Sequence, residues 1–140
     1  MITHHNLFAY GTLMVRQIMH SVSGMDLSGT TALLPGYRRR LLRGEVYPAI
    51  LPDDLDRVEG ILYTRLGRTA WQRLDSFEGE MYQRETVVVE LAGGRRTQAQ
   101  TYVLKPQYHA LMTRDAWTLE WFQRSGHSTF VSHYRGFRQL

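Results

Sequence analysis

The sequence predicts an α+β fold: a small mixed, mostly antiparallel β-barrel or curled sheet with peripheral helices. Three observations point there. Strand-like segments outnumber helical ones and cluster in runs. Several strands are interrupted by glycine or proline, which suits a curled sheet better than a flat one. The chain has 140 residues, 43% of them hydrophobic and 21% charged. That is enough for one domain, expected to span 1–140, which buries roughly 68–70% of the surface its unfolded chain exposes.

The elements follow in order. "HNLFAYG" (5–11) reads as a buried strand ending at Gly11. "TLMVRQIMHSV" (12–22) carries a helical stripe through Leu13, Ile18 and Val22, with Thr12 as its N-cap. Residues 23–30 form a loop. "TALLPGYRRRLLRGEVYPAILP" (31–52) is β-like but broken at Pro35-Gly36 and at Pro48, which lacks a ladder donor and belongs at an edge or a bend. "RVEGILYTRL" (57–66) is a further strand. "TAWQRLDSFEG" (69–79) opens with Thr69 and Gln72 in capping-box spacing and stops at Gly79. Strands at 82–91 and 97–104 flank "AGGRR" (92–96), whose Gly-Gly pair signals a hairpin. "TRDAWTLEWFQRSG" (113–126) reads as a helix with Trp117 and Trp121 one turn apart. The tail, 127–137, is open between helix and irregular chain.

Composition removes several kinds of chemistry. There is no cysteine, hence no disulfide, thiolate metal site or cysteine nucleophile. The phosphate-binding patterns G-x-x-x-x-G-K-[ST] and G-x-G-x-x-G are absent, as is the serine elbow G-x-S-x-G. His4, His5, His20, His109, His127 and His133 offer no pair at metal spacing on a clear helix face. No metal and no cofactor are expected. No run approaches the roughly 20 apolar residues of a membrane span, and the N-terminus lacks the pattern of a signal peptide. The expected location is cytoplasmic, with no membrane partner. The net charge of +4 is carried mainly by arginine, densest in "YRRRLLR" (37–43) and "GGRR" (93–96). Such clusters can bind nucleic acid. Acidic residues scattered through the rest of the chain favour solvated strand positions instead, so no nucleic-acid partner is expected.

What remains is plain acid–base chemistry, and Glu78 is its leading candidate. Trp71, Leu74 and Glu78 are spaced i, i+3, i+7, so they share one helix face, and the tryptophan and leucine make that face the buried one. Desolvation, the negative end of the helix and the like charge of Asp75 all push a carboxyl pKa up, toward the range of a general base. Arg84 would oppose this if it reached the site. A structural role for Glu78, accepting bonds from a strand or pairing with an arginine, is equally open at this level. The turn "FAYGTLM" (8–14) is a second candidate. A strand ends at Tyr10-Gly11 and the next N–H groups lack internal partners, so they can face a carboxylate or a developing oxyanion. Tyr10, Tyr47, Tyr82 and Tyr102 are possible proton partners or substrate walls.

Taken together, "YGTL" (10–13), "YPAI" (47–50), "VEGILY" (58–63), "LDSFEG" (74–79) followed by "YQR" (82–84), and "YRGF" (134–137) resemble the γ-glutamylcyclotransferase-like family. The resemblance runs from about residue 6 to 137. It implies a small mixed β-barrel with flanking helices. It also implies a cofactor-independent reaction in which the α-amine of a γ-glutamyl group attacks its own γ-carbonyl, closing 5-oxoproline and releasing an amine or amino acid. Carried onto this chain, it gives Glu78 the catalytic role, Tyr10, Gly11, Thr12 and Leu13 the substrate-binding turn, and Tyr82 a further substrate contact. Thr12 stands where many members have serine. The implied partner is a small γ-glutamyl substrate. A non-catalytic ligand-binding module of the same fold is the alternative. The leaving group (glutathione's dipeptide, an amino acid, an amine or a crosslinked lysine) and the oligomeric state stay open. Residues 23–30 and 44–54 are expected to line the leaving-group side.

Overall fold

Leu7–Ala9 (β1) is short, yet it joins the two ends of the sheet. It pairs antiparallel with Pro48–Tyr63 (β3), Leu7 opposite Tyr63 and Ala9 opposite Ile61, and parallel with Arg96–Leu104 (β5) at Leu7 and Gln100. On its other side β3 pairs with Thr30–Leu41 (β2). β2 meets Tyr82–Glu90 (β4) at Leu33 and Glu90, and β4 runs antiparallel to β5 along its length. The structure, a computed structural model, describes residues 5–133. Among them the strands close a mixed, mostly antiparallel barrel in the order β1-β3-β2-β4-β5, with helices outside it, as the sequence predicted.

Pleating sends alternate side chains to opposite faces, and here the two faces feed two cores. Phe8, Ala32, Leu34, Ile50, Val58, Leu62, Val87, Val89, Ala99 and Val103 pack together without any helix residue, so they fill the barrel. Leu7, Ala9, Tyr63 and Leu104, from the other face, pack with Ile18, Met19, Trp71, Leu74 and Phe122 of the helices. Gly60 lets this happen at the β1 contact. A Cβ there would lie 2.4 Å from the Ala9 carbonyl oxygen and 2.7 Å from Phe8.

Several sequence expectations need correction. The helix expected from residue 12 starts later. Thr12–Met14 is a 3₁₀ turn, Val15 is extended, and the α-helix Arg16–Ser23 (α1) follows. Thr12 caps nothing, because it is itself inside the 3₁₀ turn and its side chain is buried. The segments 31–52 and 57–66 are not separately broken strands. β2 absorbs Pro35-Gly36 in a register shift between Pro35 and Tyr37, and β3 runs through residues 53–56, three aspartates and Leu55, which bulge outward with Leu55 exposed. Pro48 does start a strand, opposite Leu41. The helix Arg68–Glu78 (α2) is capped by Gly67 and not by a Thr69–Gln72 box. Its stop at Gly79 is as expected, with φ +77° and the Gly79 N–H on the Asp75 carbonyl at 3.1 Å. The Gly-Gly turn lies between β4 and β5, both glycines at positive φ.

The C-terminal helix is displaced too. Residues 113–118 are not helical. Thr118 accepts from the Trp121 N–H at 3.1 Å and opens Leu119–Trp121 (α3), which passes through a π-helical turn at Phe122–Gly126 into His127–His133 (α4). Trp117 therefore precedes the helix, fully buried, its indole N–H donating to the Val46 carbonyl at 2.9 Å. The "YRGF" motif at 134–137 and His4 lie outside the described residues. No helix among the described residues is long and apolar enough to cross a membrane.

Candidate active site

One end of the outer core opens into a cavity of about 70 Å³, lined by Leu7 to Leu13, Tyr47, Pro48, Phe77, Glu78, Met81, Tyr82, Tyr102 and Phe130. Each predicted site residue (Tyr10, Gly11, Thr12, Leu13, Glu78 and Tyr82) is in that wall. Three separate stretches of chain bring them there. β1 leads into the 10–13 turn, the C-terminus of α2 delivers Glu78, and β4 supplies Tyr82, while β5 adds Tyr102.

Hydrogen bonds fix the tyrosines that form the walls. Tyr10 Oη donates to the Tyr102 carbonyl at 2.6 Å, and Tyr82 Oη to the Pro48 carbonyl at 2.9 Å. Tyr102 Oη donates to Asp75 Oδ1 at 2.7 Å. Behind the turn, Tyr63 Oη donates to the Leu13 carbonyl at 2.8 Å. Burial raises the pKa of Tyr10 well above the usual phenol value, and the charge of Glu78 adds to the rise. Burial also raises that of Tyr102, aided by its bond to Asp75. Both hydroxyls are therefore donors at any physiological pH.

Glu78 is the carboxyl in this wall, half-buried at the end of its helix. Burial pushes its pKa from 4.5 to about 8, and the nearby charge of Asp75 pushes the same way. Arg84 does not relieve it. That guanidinium turns to Asp75, Nε to Oδ1 at 3.6 Å, and lies 4.6 Å over the Trp71 ring. A carboxyl that releases its proton near pH 8 can exchange one with an amine, and the cavity gives it a place to do so.

The turn is set by Gly11. The Gly11 carbonyl accepts from the Met14 N–H at 2.9 Å, and the N–H groups of Thr12 and Leu13, at the start of the 3₁₀ turn, have no acceptor inside it. A Cβ at Gly11 would come within 3.0 Å of the Pro48 ring. Glycine thus allows the 10–13 turn and the Tyr47-Pro48 wall to approach each other.

Of the residues expected on the leaving-group side, 44–54 contributes Tyr47 and Pro48, but 23–30 contributes nothing to the described lining. Phe77, Met81 and Phe130, which the sequence reading missed, also line the cavity. Phe130 is carried there by ring packing, 6.1 Å from Phe77 and 5.7 Å from Phe122, which itself packs on Trp117 at 5.8 Å. An aromatic on the distal helix gives no local signal of where it docks. The arginine run is largely spent on the protein itself. Arg38 lies 3.7 Å from Asp53 and Arg40 3.8 Å from Asp56, and Arg43 donates to the Ala110 carbonyl at 3.3 Å. Among the described residues, no cluster of three or more His, Asp or Glu side chains is placed to hold a metal ion.

Comparison with known proteins adds to this geometry. The family model for gamma-glutamyl cyclotransferase, AIG2-like, matches residues 7–121. AIG2-like protein D of Arabidopsis thaliana is 34% identical over 104 residues, which are 73% of this chain and 68% of that protein. The chain spans 59% of the length of a second such relative, AIG2-like protein C. A solution structure of an Arabidopsis thaliana protein superposes with a TM-score of 0.72 at 25% identity, covering 93% of this chain and 87% of that one. A solved gamma-glutamyl cyclotransferase has a similar fold, with a TM-score of 0.65 at 18% identity over 74% of this chain and 73% of that one.

Proposed function

The chain belongs to the gamma-glutamyl cyclotransferase, AIG2-like family, and from that premise we propose that it cyclises γ-glutamyl compounds to 5-oxoproline with Glu78 as general acid and base. The observation that carries this reading is the position of Glu78: a carboxyl with a pKa near 8, facing a cavity across from the turn at Gly11.

The chemistry needs little beyond these parts. Nucleophile and electrophile belong to one substrate, so ring closure is already a proximity-assisted reaction. The Glu78 carboxylate takes a proton from the substrate α-ammonium. The freed amine attacks the γ-carbonyl and forms a tetrahedral intermediate with an anionic oxygen. As the C–N bond to the leaving group breaks, protonated Glu78 delivers its proton to the departing nitrogen. The second proton lost by the ring nitrogen follows to the released amine. The substrate ammonium thus becomes a product ammonium, charge is conserved, and Glu78 ends as it began. N–H groups of the 10–13 turn serve an anionic oxygen of the substrate, and buried Tyr10 and Tyr102 keep the wall protonated. The cavity is far smaller than the ~300–1,000 Å³ of clefts that enclose drug-sized ligands. It therefore suits the compact glutamyl end, with the leaving group directed past Tyr47, Phe77, Met81 and Phe130.

The test is to incubate the protein with glutathione, γ-glutamyl-alanine and γ-glutamyl-ε-lysine and to detect 5-oxoproline by mass. Release from at least one is expected. Binding of these compounds without release, seen as a thermal shift, would instead make the chain a ligand-binding module of the same fold. Neither binding nor release would overturn the reading of the site.

A further inference from the structure

Arg39 does not line the cavity, yet it grips the backbone of the turn that does. Its Nη1 donates to the Tyr10 carbonyl at 2.8 Å and to the Glu59 carbonyl at 2.9 Å. The guanidinium also lies over the Trp117 ring, 5.2 Å from its centroid. Strand periodicity separates Arg39 from its neighbours: Arg38 and Arg40 turn to the other face and meet Asp53 and Asp56. Trp117, on whose ring the Arg39 guanidinium lies, is tied in turn to the Val46 carbonyl, next to Tyr47 and Pro48 of the cavity wall. One half-buried cation therefore connects β3, the 10–13 turn and the segment leading to the C-terminal helix.

The consequence for the site follows from peptide geometry. The Tyr10 carbonyl and the Gly11 N–H belong to one peptide unit, which is trans. In a planar trans peptide the C=O and N–H point in opposite directions. With the carbonyl held toward Arg39, which is not among the lining residues, the N–H of Gly11, which is one of them, is turned away from Arg39. A cation on the carbonyl also polarises the unit, so its N–H becomes a stronger donor.

We propose that Arg39 is a positioning residue for cyclisation: through the Tyr10–Gly11 peptide it aims and polarises an N–H that holds an anionic oxygen of the substrate, either its α-carboxylate or the oxyanion formed on attack. This inference rests on the cyclotransferase reading of the cavity. Glycine at position 11 and arginine at 39 then act as one device, the first allowing the close approach and the second fixing its direction.

Two variants test it, assayed with whichever of glutathione, γ-glutamyl-alanine and γ-glutamyl-ε-lysine the wild type turns over. Arg39→Met keeps the apolar stem and removes the charge. Arg39→Lys keeps the charge but replaces the planar fork by a single ammonium. Arg39→Met is expected to lower kcat/KM at least about tenfold while Tm stays within a few degrees, a smaller loss than the ~10²–10³ seen when an oxyanion donor is removed outright. Arg39→Lys is expected to lie between the two. A rise in KM alone places the α-carboxylate on the turn, and a fall in kcat alone places the oxyanion there. Either supports the role. Wild-type kinetics in Arg39→Met would overturn it and leave the proposed reaction standing. So would losses in both variants that merely track the folded fraction, which is what a structural anchor predicts. If Arg39→Met does not fold, Arg39→Lys decides, with unchanged kcat/KM overturning the role. A wild type that turns over none of the three compounds defeats the underlying reading, and this inference with it.

Discussion

Tyr102 and Asp75 are joined by a 2.7 Å hydrogen bond, and Asp75 stands one helical turn before Glu78. The phenol donates from the cavity wall, and Arg84 approaches the same carboxylate oxygen from β4. The charge of Asp75 acts on Glu78 and adds to the effect of burial in raising its pKa. The proposed base and the carboxylate whose charge raises its pKa stand on one helix three residues apart.

The first prediction concerns pH and rate. The groups placed against Glu78 are Asp75 on its own helix and the phenols of Tyr10 and Tyr102, while Arg84 acts on Asp75 and Tyr102 and not on Glu78 itself. If deprotonated Glu78 is the active form of the free enzyme, kcat/KM rises with pH and levels off above about 8. Asp75→Asn keeps an acceptor for Tyr102 and removes the charge that raises Glu78, so the rising limb should move to lower pH. A limb that stays in place or moves upward would contradict the coupling.

The same shift predicts a stability difference. Glu78 titrates near 4.5 when unfolded and near 8 when folded. Its raised pKa makes a contribution that is fully present below pH 4.5 and is lost as pH rises through 8. Glu78→Gln cannot ionise, so its Tm advantage over the wild type should grow between pH 5 and pH 8.5. In free energy the gain should be on the order of a few kcal/mol. Parallel Tm curves across that range would mean that the folded carboxyl is solvated.

A third prediction tests the approach of the turn to Pro48. In Gly11→Ala the new Cβ would meet the Pro48 ring at 3.0 Å. The variant should lose about 1–2 kcal/mol of stability through overpacking. Its kcat/KM should fall as well, about tenfold or more, because the turn and the Pro48 wall both line the cavity. Calorimetry beside steady-state kinetics measures both; full activity would show that the turn is not used.

The barrel itself offers a fourth. In Gly60→Ala the new Cβ would meet the Ala9 carbonyl and the Phe8 ring, both rigidly placed in β1. About 3 kcal/mol or more of destabilisation is expected, or failure to fold. Denaturant unfolding would show it; a loss under about 0.5 kcal/mol would mean that β1 can shift off β3.

Much of the fold was legible because the relevant signals are local. Runs of Val, Thr and Tyr mark β4 and β5, the stripe through Trp71 and Leu74 marks α2, and Gly79 and the Gly93-Gly94 pair mark its end and a turn. The position of Glu78 followed from the same stripe. What misled was also local. Residues 53–56 carry three aspartates and fall between the two segments read as strands, but they bulge from one continuous strand whose flanking residues Pro52 and Arg57 pair with Tyr37 and Pro35. Trp117 and Trp121 mimic a helix face, whereas Thr118 between them is the cap that starts the helix. Phe130 and Arg39 reach the site through tertiary packing alone, Phe130 by a chain of aromatic contacts and Arg39 by a bond to a carbonyl. No periodicity in sequence encodes either contact.

The most direct test compares 5-oxoproline release by the wild type and Glu78→Gln on the same γ-glutamyl substrate, with Tm measured on both proteins. Glutamine preserves the shape of the side chain and removes its proton exchange. The account predicts a folded variant, at least as stable as the wild type at pH 8, whose turnover is reduced by roughly 10²–10⁴-fold, the span that general acid–base catalysis contributes. A folded Glu78→Gln protein that releases 5-oxoproline at the wild-type rate would contradict it.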